Sequence, residues 1–292
     1  MRIDSHQHYW EPRRGDYDWM PKDNPVLNRR YGPADLEPSL ERHGIDGTVV
    51  VQAAESVHET EYMLGIADAN DSVLAVVGWV DFESPDDRGQ LERLARHPKL
   101  AGVRPLIQDI PDVDWMLRKD VQWAYRAIID VDLTFDALGF PPHLDNFLTI
   151  LRRYPDLRAV IDHCMKPRIR DHRTDPSAFD EWAEKMSRFA GETGAFCKLS
   201  GLVTEARRDW TVEDLRPFAD HVLSVFGPER VMWGSDWPVC RNRATYDAWW
   251  EAANALTRHL DGAAREAIFG GTAARFYRID AKRPRRDERM MQ

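Results

Sequence analysis

The chain has 292 residues, 43% of them hydrophobic and 30% charged, with a formal net charge of −9. This composition describes a globular protein with a full-sized core, and its acidic balance excludes nucleic acid or an anionic membrane as the main partner. No apolar run reaches the roughly 20 residues of a membrane span, and the three cysteines, Cys164, Cys197 and Cys240, read as reduced thiols in a cytoplasmic protein. The first predicted strand, residues 2–8, begins too early to leave room for a signal peptide. Its side chains alternate between faces, so His6 and His8 point the same way and form a chelating or acid–base pair. The segment 12–38 is long and polar-aromatic, with Tyr17, Trp19, Met20 and Tyr31, and reads as a loop at the mouth of a site. Further strands are predicted at 47–53, 74–80, 100–107, 132–138, 158–163, 195–199 and 231–235. Helical spacing marks 59–69, 86–96, 144–153, 179–190, 212–226, 246–258 and 263–277. Residues 281–292, rich in Arg and Lys, read as a solvated basic tail.

Eight strands alternating with helices imply a parallel sheet and fit a distorted single-domain (β/α)8 barrel, the TIM fold, over residues 1–280. An open doubly wound sheet is the competing architecture, but no glycine-rich phosphate loop follows the first strand. In a barrel, the C-terminal strand ends converge on one pocket. Those ends carry His6 and His8, Gln52 and Glu55, Trp79 and Asp81, Arg104 and Gln108, Asp136, Asp162 and His163, Lys198 and Ser200, and Ser235-Asp236-Trp237. Three histidines and an aspartate at the ends of strands 1, 6 and 8 would not gather there at random.

These segments resemble the amidohydrolase superfamily, specifically its amidohydrolase-2 branch and, within it, the sugar-lactonase group. The carriers are Asp4-Ser5-His6-Gln7-His8-Tyr9-Trp10, Gly102-Val103-Arg104, Ile161 to Pro167, Cys197 to Gly201, Trp233 to Pro238, and Gly270 to Tyr277. The resemblance implies hydrolysis of a sugar lactone, L-fucono-1,4-lactone or a stereochemical relative, in carbohydrate catabolism such as L-fucose degradation. It implies a monomer or homodimer acting on a small molecule. The same branch contains non-oxidative decarboxylases of carboxylated aromatic or muconate-type substrates, which form the alternative. Binuclear members carry a Lys or Glu on strand 4 and a His on strand 5; here Arg104 cannot ligate a metal and strand 5 offers Asp136. That leaves one divalent metal, zinc by its N/O ligands, held among His6, His8, His163 and Asp236, or a metal-free site whose histidines polarise the carbonyl.

Asp236 is the expected general base on water, although Asp at that position also suits a helix cap. His163, His8 and His6 complete the catalytic group. Arg104 either binds substrate or pairs with a buried Asp. Lys166 and Glu55 are further candidates for substrate hydroxyls, against the solvated surface roles such residues often have. Trp10, Trp79, Trp115 and Trp237 are candidate stacking platforms, against wall or core positions. Cys164, beside His163, reads as a small buried hydrophobe.

Overall fold

The computed structural model describes residues 1–279. Eight parallel strands run in sequence order: β1 Ile3–Gln7, β2 Gly47–Val51, β3 Val73–Gly78, β4 Leu100–Val103, β5 Thr134–Ala137, β6 Ala159–Ile161, β7 Phe196–Leu199 and β8 Val231–Trp233. The circle closes between β8 and β1, where the Asp236 N–H donates to the His6 carbonyl at 2.8 Å and the His8 N–H to that of Trp237 at 2.7 Å. This is the (β/α)8 barrel that the alternation predicts, in one domain. The Thr-Val-Val-Val run of β2 shows why such segments are strands: branched side chains fit a pleated sheet and are tolerated when both faces are buried.

Ile3, Val49, Val51, Ala75, Val77, Ala101, Val160 and Met232 fill the barrel interior. A larger layer, including Phe147, Trp182, Phe218 and Trp249, lies between the strands and the helices. Those helices are α1 Pro33–His43, α2 Val57–Ala69, α3 Arg88–Leu94, α4 Gln122–Asp130, α5 Leu144–Arg153, α6 Ser177–Glu192, α7 Leu202–Glu205, α8 Val212–Phe226, α9 Tyr246–Thr257, α10 Gly262–Glu266 and α11 Thr272–Phe276. None of the described helices is long and apolar enough to cross a membrane.

The predicted and observed elements differ in identifiable ways. Helix α1 lies partly inside the segment read as a loop. Its Pro33 occupies the first helical position, where a fixed φ and a missing N–H cost nothing, and the Asp35 carboxylate accepts from the Gly32 N–H at 2.9 Å. Helix α4 has no predicted counterpart. The segment 263–277 is three pieces, α10, a wide π-type turn at Ala267–Gly271, and α11. Most strands are shorter than predicted, and β6 ends at Ile161, so Asp162 and His163 lie beyond it. The predicted tail 281–292 lies outside the described residues.

Helix α11 closes the N-terminal end of the barrel. Thr272 Oγ1 donates to the Pro228 carbonyl before β8, and Arg158 before β6 donates to the Phe276 carbonyl. Ala273, Phe276 and Tyr277 pack with the interior residues.

Candidate active site

Strand β1 delivers two imidazoles through a local irregularity. Asp4 pairs with Thr48 and Gln7 with Val50, so the register slips by one residue between them. As a result Asp4 bonds outward to the hydroxyl of Tyr246 on α9 (3.2 Å), while His6, two residues on, meets side chains of β4, β6 and β7 ends inside. Asp4 also accepts from the N–H groups of His6 (3.2 Å) and Ser235 (2.8 Å), which clamps β1 to the turn after β8. Burial pushes its carboxyl up to about 6 despite these bonds.

The other two members come from left-handed turns. His163, Cys164, Met165 and Lys166 have φ values of 53°, 51°, 59° and 47°, and Asp236 has 56°. Non-glycine residues visit this region at a cost of about 1–2 kcal/mol each, so the surrounding packing must hold them there. His163 is held by Ser200 Oγ, 2.8 Å from its Nδ1. Gly201, at φ 68°, leaves it room: a Cβ there would lie 2.7 Å from the same nitrogen. Cys164 faces away, with its Sγ on the Lys198 carbonyl.

The four groups converge. Asp236 Oδ1 lies 3.4 Å from His8 Nε2, 3.8 Å from His163 Nε2 and 4.0 Å from His6 Nε2. The His6 and His8 Nε2 atoms are 3.2 Å apart. His8 Nδ1 is 2.7 Å from the Val51 carbonyl, which can only accept; the proton is therefore on Nδ1 and the Nε2 lone pair faces the cluster. Burial holds all three histidines below their ordinary value, His163 down to about 4, with Lys198 adding to the effect on His6. Burial alone would raise Asp236, but His163 and His8 outweigh it and keep the carboxylate ionised.

Beneath the cluster lies a buried charge network. Lys198 Nζ is 2.5 Å from Asp136, 2.9 Å from Asp162 and 3.0 Å from His6 Nδ1. Arg104 pairs with Asp162 at 3.0 Å, and the Tyr277 hydroxyl donates to Asp136 at 2.7 Å. Burial works to raise both carboxyls. It prevails at Asp136, while at Asp162 it is overcome by Lys198, His6 and Arg104.

Above the cluster opens a cavity of about 150 Å³ lined by His8, His163, Asp236, Arg104, Trp10 and Lys166 among the predicted residues. His6 lies beneath these residues and does not itself line the cavity. Arg104 lines the cavity while paired with the buried Asp162, the ion pair set against substrate binding in the sequence reading. Four predicted substrate contacts are elsewhere. Trp79 and buried Trp115 line a separate depression with Asp81 and exposed Glu55; Thr60 on α2 bonds both the N–H and the carbonyl of Trp79 and draws the chain outward. Trp237, following left-handed Asp236, packs edge-on to Tyr9 and Tyr31 away from the cavity. Conversely, Trp19, Asp109, Thr204 and Glu205 line the cavity without having been singled out as substrate contacts; they lie in loops or in short α7, where only the general rule about barrel loops points to them.

The donor set fits one metal ion. His6, His163 and Asp236 offer ligand atoms within 4.8 Å of one another, with His8 beside them. The measured separations of 3.2–4.0 Å bracket the edge of about 3.4 Å expected for a tetrahedron with bonds near 2.1 Å. Neutral imidazoles and an ionised carboxylate are the protonation states that ligation requires.

Three imidazoles and a carboxylate gathered at the C-terminal mouth of a (β/α)8 barrel mark a candidate hydrolase site. The chain belongs to the amidohydrolase family, whose model, described as Amidohydrolase, matches residues 3–279. It is 42% identical to a Burkholderia ambifaria protein named L-fucono-1,5-lactonase, over 99% of this chain and 98% of that one. A Burkholderia multivorans protein of the same name is 37% identical, over 96% of each chain. A crystal structure of a Burkholderia multivorans amidohydrolase with bound zinc matches with a TM-score of 0.88 at 36% identity, covering 96% of this chain and 100% of that one.

Proposed function

We propose that this protein hydrolyses a sugar lactone to its aldonic acid, with L-fucono-1,5-lactone and L-fucono-1,4-lactone the first substrates to test. The observation that carries the reading is the approach of Asp236 Oδ1 to three histidines within 4.0 Å on the floor of a ring-sized cavity, in a chain similar over its length to proteins named L-fucono-1,5-lactonase. The walls favour a neutral, hydroxylated substrate. Arg104 and Lys166 face Asp109, Glu205 and Asp236 around the cavity, so a dicarboxylate would meet net repulsion.

In this mechanism the lactone carbonyl rests on the histidine floor with Arg104 at its side. Asp236 takes a proton from water as the water oxygen bonds to the carbonyl carbon. The tetrahedral oxyanion develops beside the Arg104 guanidinium, whose stabilisation of it is strong because bulk water is excluded. The bond to the ring oxygen then breaks, and Asp236 returns the proton to that oxygen. His6, His8, His163 and Asp236 would hold a divalent cation, zinc as in the Burkholderia multivorans structure, which supplies Lewis acidity at the carbonyl when bound.

A pH-indicator assay over a panel of L- and D-aldonolactones tests the reading, with and without chelator. Acid release that is lost on chelation and restored by zinc supports it in full. Asp236→Asn should abolish turnover while the far-ultraviolet circular dichroism stays that of the wild type. Failure to release acid from every lactone overturns the reading, and carbon dioxide release from a carboxylated aromatic would replace it with decarboxylation.

A further inference from the structure

Glu59 is a buried carboxylate at the start of α2 that the proposed chemistry does not use. Its Oε2 accepts from the Tyr17 hydroxyl at 2.8 Å and lies 3.3 Å from Arg14, while its Oε1 accepts from the Ala53 N–H at 3.3 Å. Tyr17 and Arg14 belong to the long connection after β1. Two residues beyond Tyr17, the indole N–H of Trp19 donates to the carbonyl of the same Ala53 at 2.5 Å. Glu59 therefore grips Trp19 from two directions, through the chain at Tyr17 and through the residue to which the indole is bonded.

Trp19 is one of the few large apolar side chains left exposed, at 38%, and it lines the cavity together with Ala53. It stands edge-on to Trp10, with ring centroids 5.7 Å apart, and Trp10 in turn stacks on His8. With its N–H spent on Ala53, Trp19 has only ring surface to offer a ligand. An exposed indole anchored at its polar end, at the rim of a cavity, is suited to covering the apolar face of a bound ring.

We infer that Trp19 is a substrate-covering wall of the cavity and that Glu59, acting through Tyr17 and Ala53, is the positioning residue that latches it in place. The inference rests on the cavity being the substrate site, as in the proposed function, and not on which lactone is bound.

A double-mutant cycle tests it. Tyr17→Phe removes one latch bond and Trp19→Ala removes the wall. Tyr17→Phe should raise KM about fivefold, the effect of one lost hydrogen bond, with kcat within about twofold. Glu59→Gln, which keeps the side-chain shape, should act in the same direction. Trp19→Ala should raise KM at least as much, and in its background neither latch substitution should raise KM further. Additive effects, equal losses in kcat, or an unchanged KM in Tyr17→Phe would overturn the latch. Acrylamide quenching keeps the inference testable should no lactone be turned over, an outcome that sinks the proposed function alone. The Trp19 contribution, read as wild type minus Trp19→Phe, should become more quenchable when Tyr17→Phe is added to both proteins, and an unchanged contribution overturns the latch.

Discussion

Lys198 is fully enclosed, with Asp136, Asp162 and His6 all within 3.0 Å of its ammonium group. Together with Arg104 it balances the two carboxylates, so the four charges neutralise one another out of reach of water. Taking away one member leaves its partners charged and unsatisfied, which costs more than the pair itself gains. Lys198→Met should lower stability by about 3–5 kcal/mol, measured by urea denaturation, and should release His6 from its fixed orientation. A stability loss below about 1 kcal/mol would mean that water or a proton compensates the carboxylates. At this scale the sequence is a partial guide. His6, His8, His163 and Asp236 can be read from strand ends because a single rule, convergence at the barrel mouth, places them. The same rule misplaces Trp79 and Trp237, since a residue just past a strand end turns in or out according to bonds such as those from Thr60, which no local pattern reveals. Asp136, Asp162 and Lys198 stand out as strand-end polar residues, yet their mutual pairing depends on β5, β6 and β7 being neighbours with inward-facing positions at one height.

At the scale of elements, the connection after β1 and helix α2 are joined through a group that titrates. Burial raises Glu59 from 4.5 to about 7, against the pull of Tyr17 and Arg14. The folded protein thus holds a proton on Glu59 that the unfolded chain has already released between about pH 4.5 and 7, so stability from this group falls as pH rises through that window. Its full size is roughly 3 kcal/mol. Glu59→Gln should remove the decline, so that the variant gains on the wild type between pH 5 and pH 8 in urea denaturation. An equal pH dependence in both proteins would show that Glu59 titrates normally. Helix α5 is legible in advance because Leu144, Phe147, Leu148 and Leu151 repeat at helical spacing and their burial agrees. Helix α1 is obscured by Pro33 and Pro38, which read as loop punctuation although one of them begins the helix. Helix α4 is obscured by composition: its buried stripe of Ala124, Tyr125, Ala127 and Ile128 includes two small alanines and lacks the run of large aliphatic side chains that marks α5.

The whole molecule is legible from alternation alone, because eight strands separated by crossovers have few ways to close. What alternation does not foretell is the plug. Tyr277, just past α11, reaches up through the barrel interior to Asp136 and so connects the closed end to the charge network beneath the cavity. Tyr277→Phe should cost about 1.5–3 kcal/mol, the range for a hydrogen bond to a charged group, read as a lowered unfolding midpoint in urea with the secondary structure intact. No change in the midpoint would make the contact incidental. The connection also has a meaning in time. A ribosome delivers Tyr277 141 residues after Asp136, when all eight strands have already been made. A nascent chain that has just completed β8 at Trp233 has all three histidines and Asp136 but lacks both Asp236 and the Tyr277 that closes its base. The contact that ties the base of the barrel to its buried charges is therefore one that a growing chain can make only after the whole wall has been synthesised.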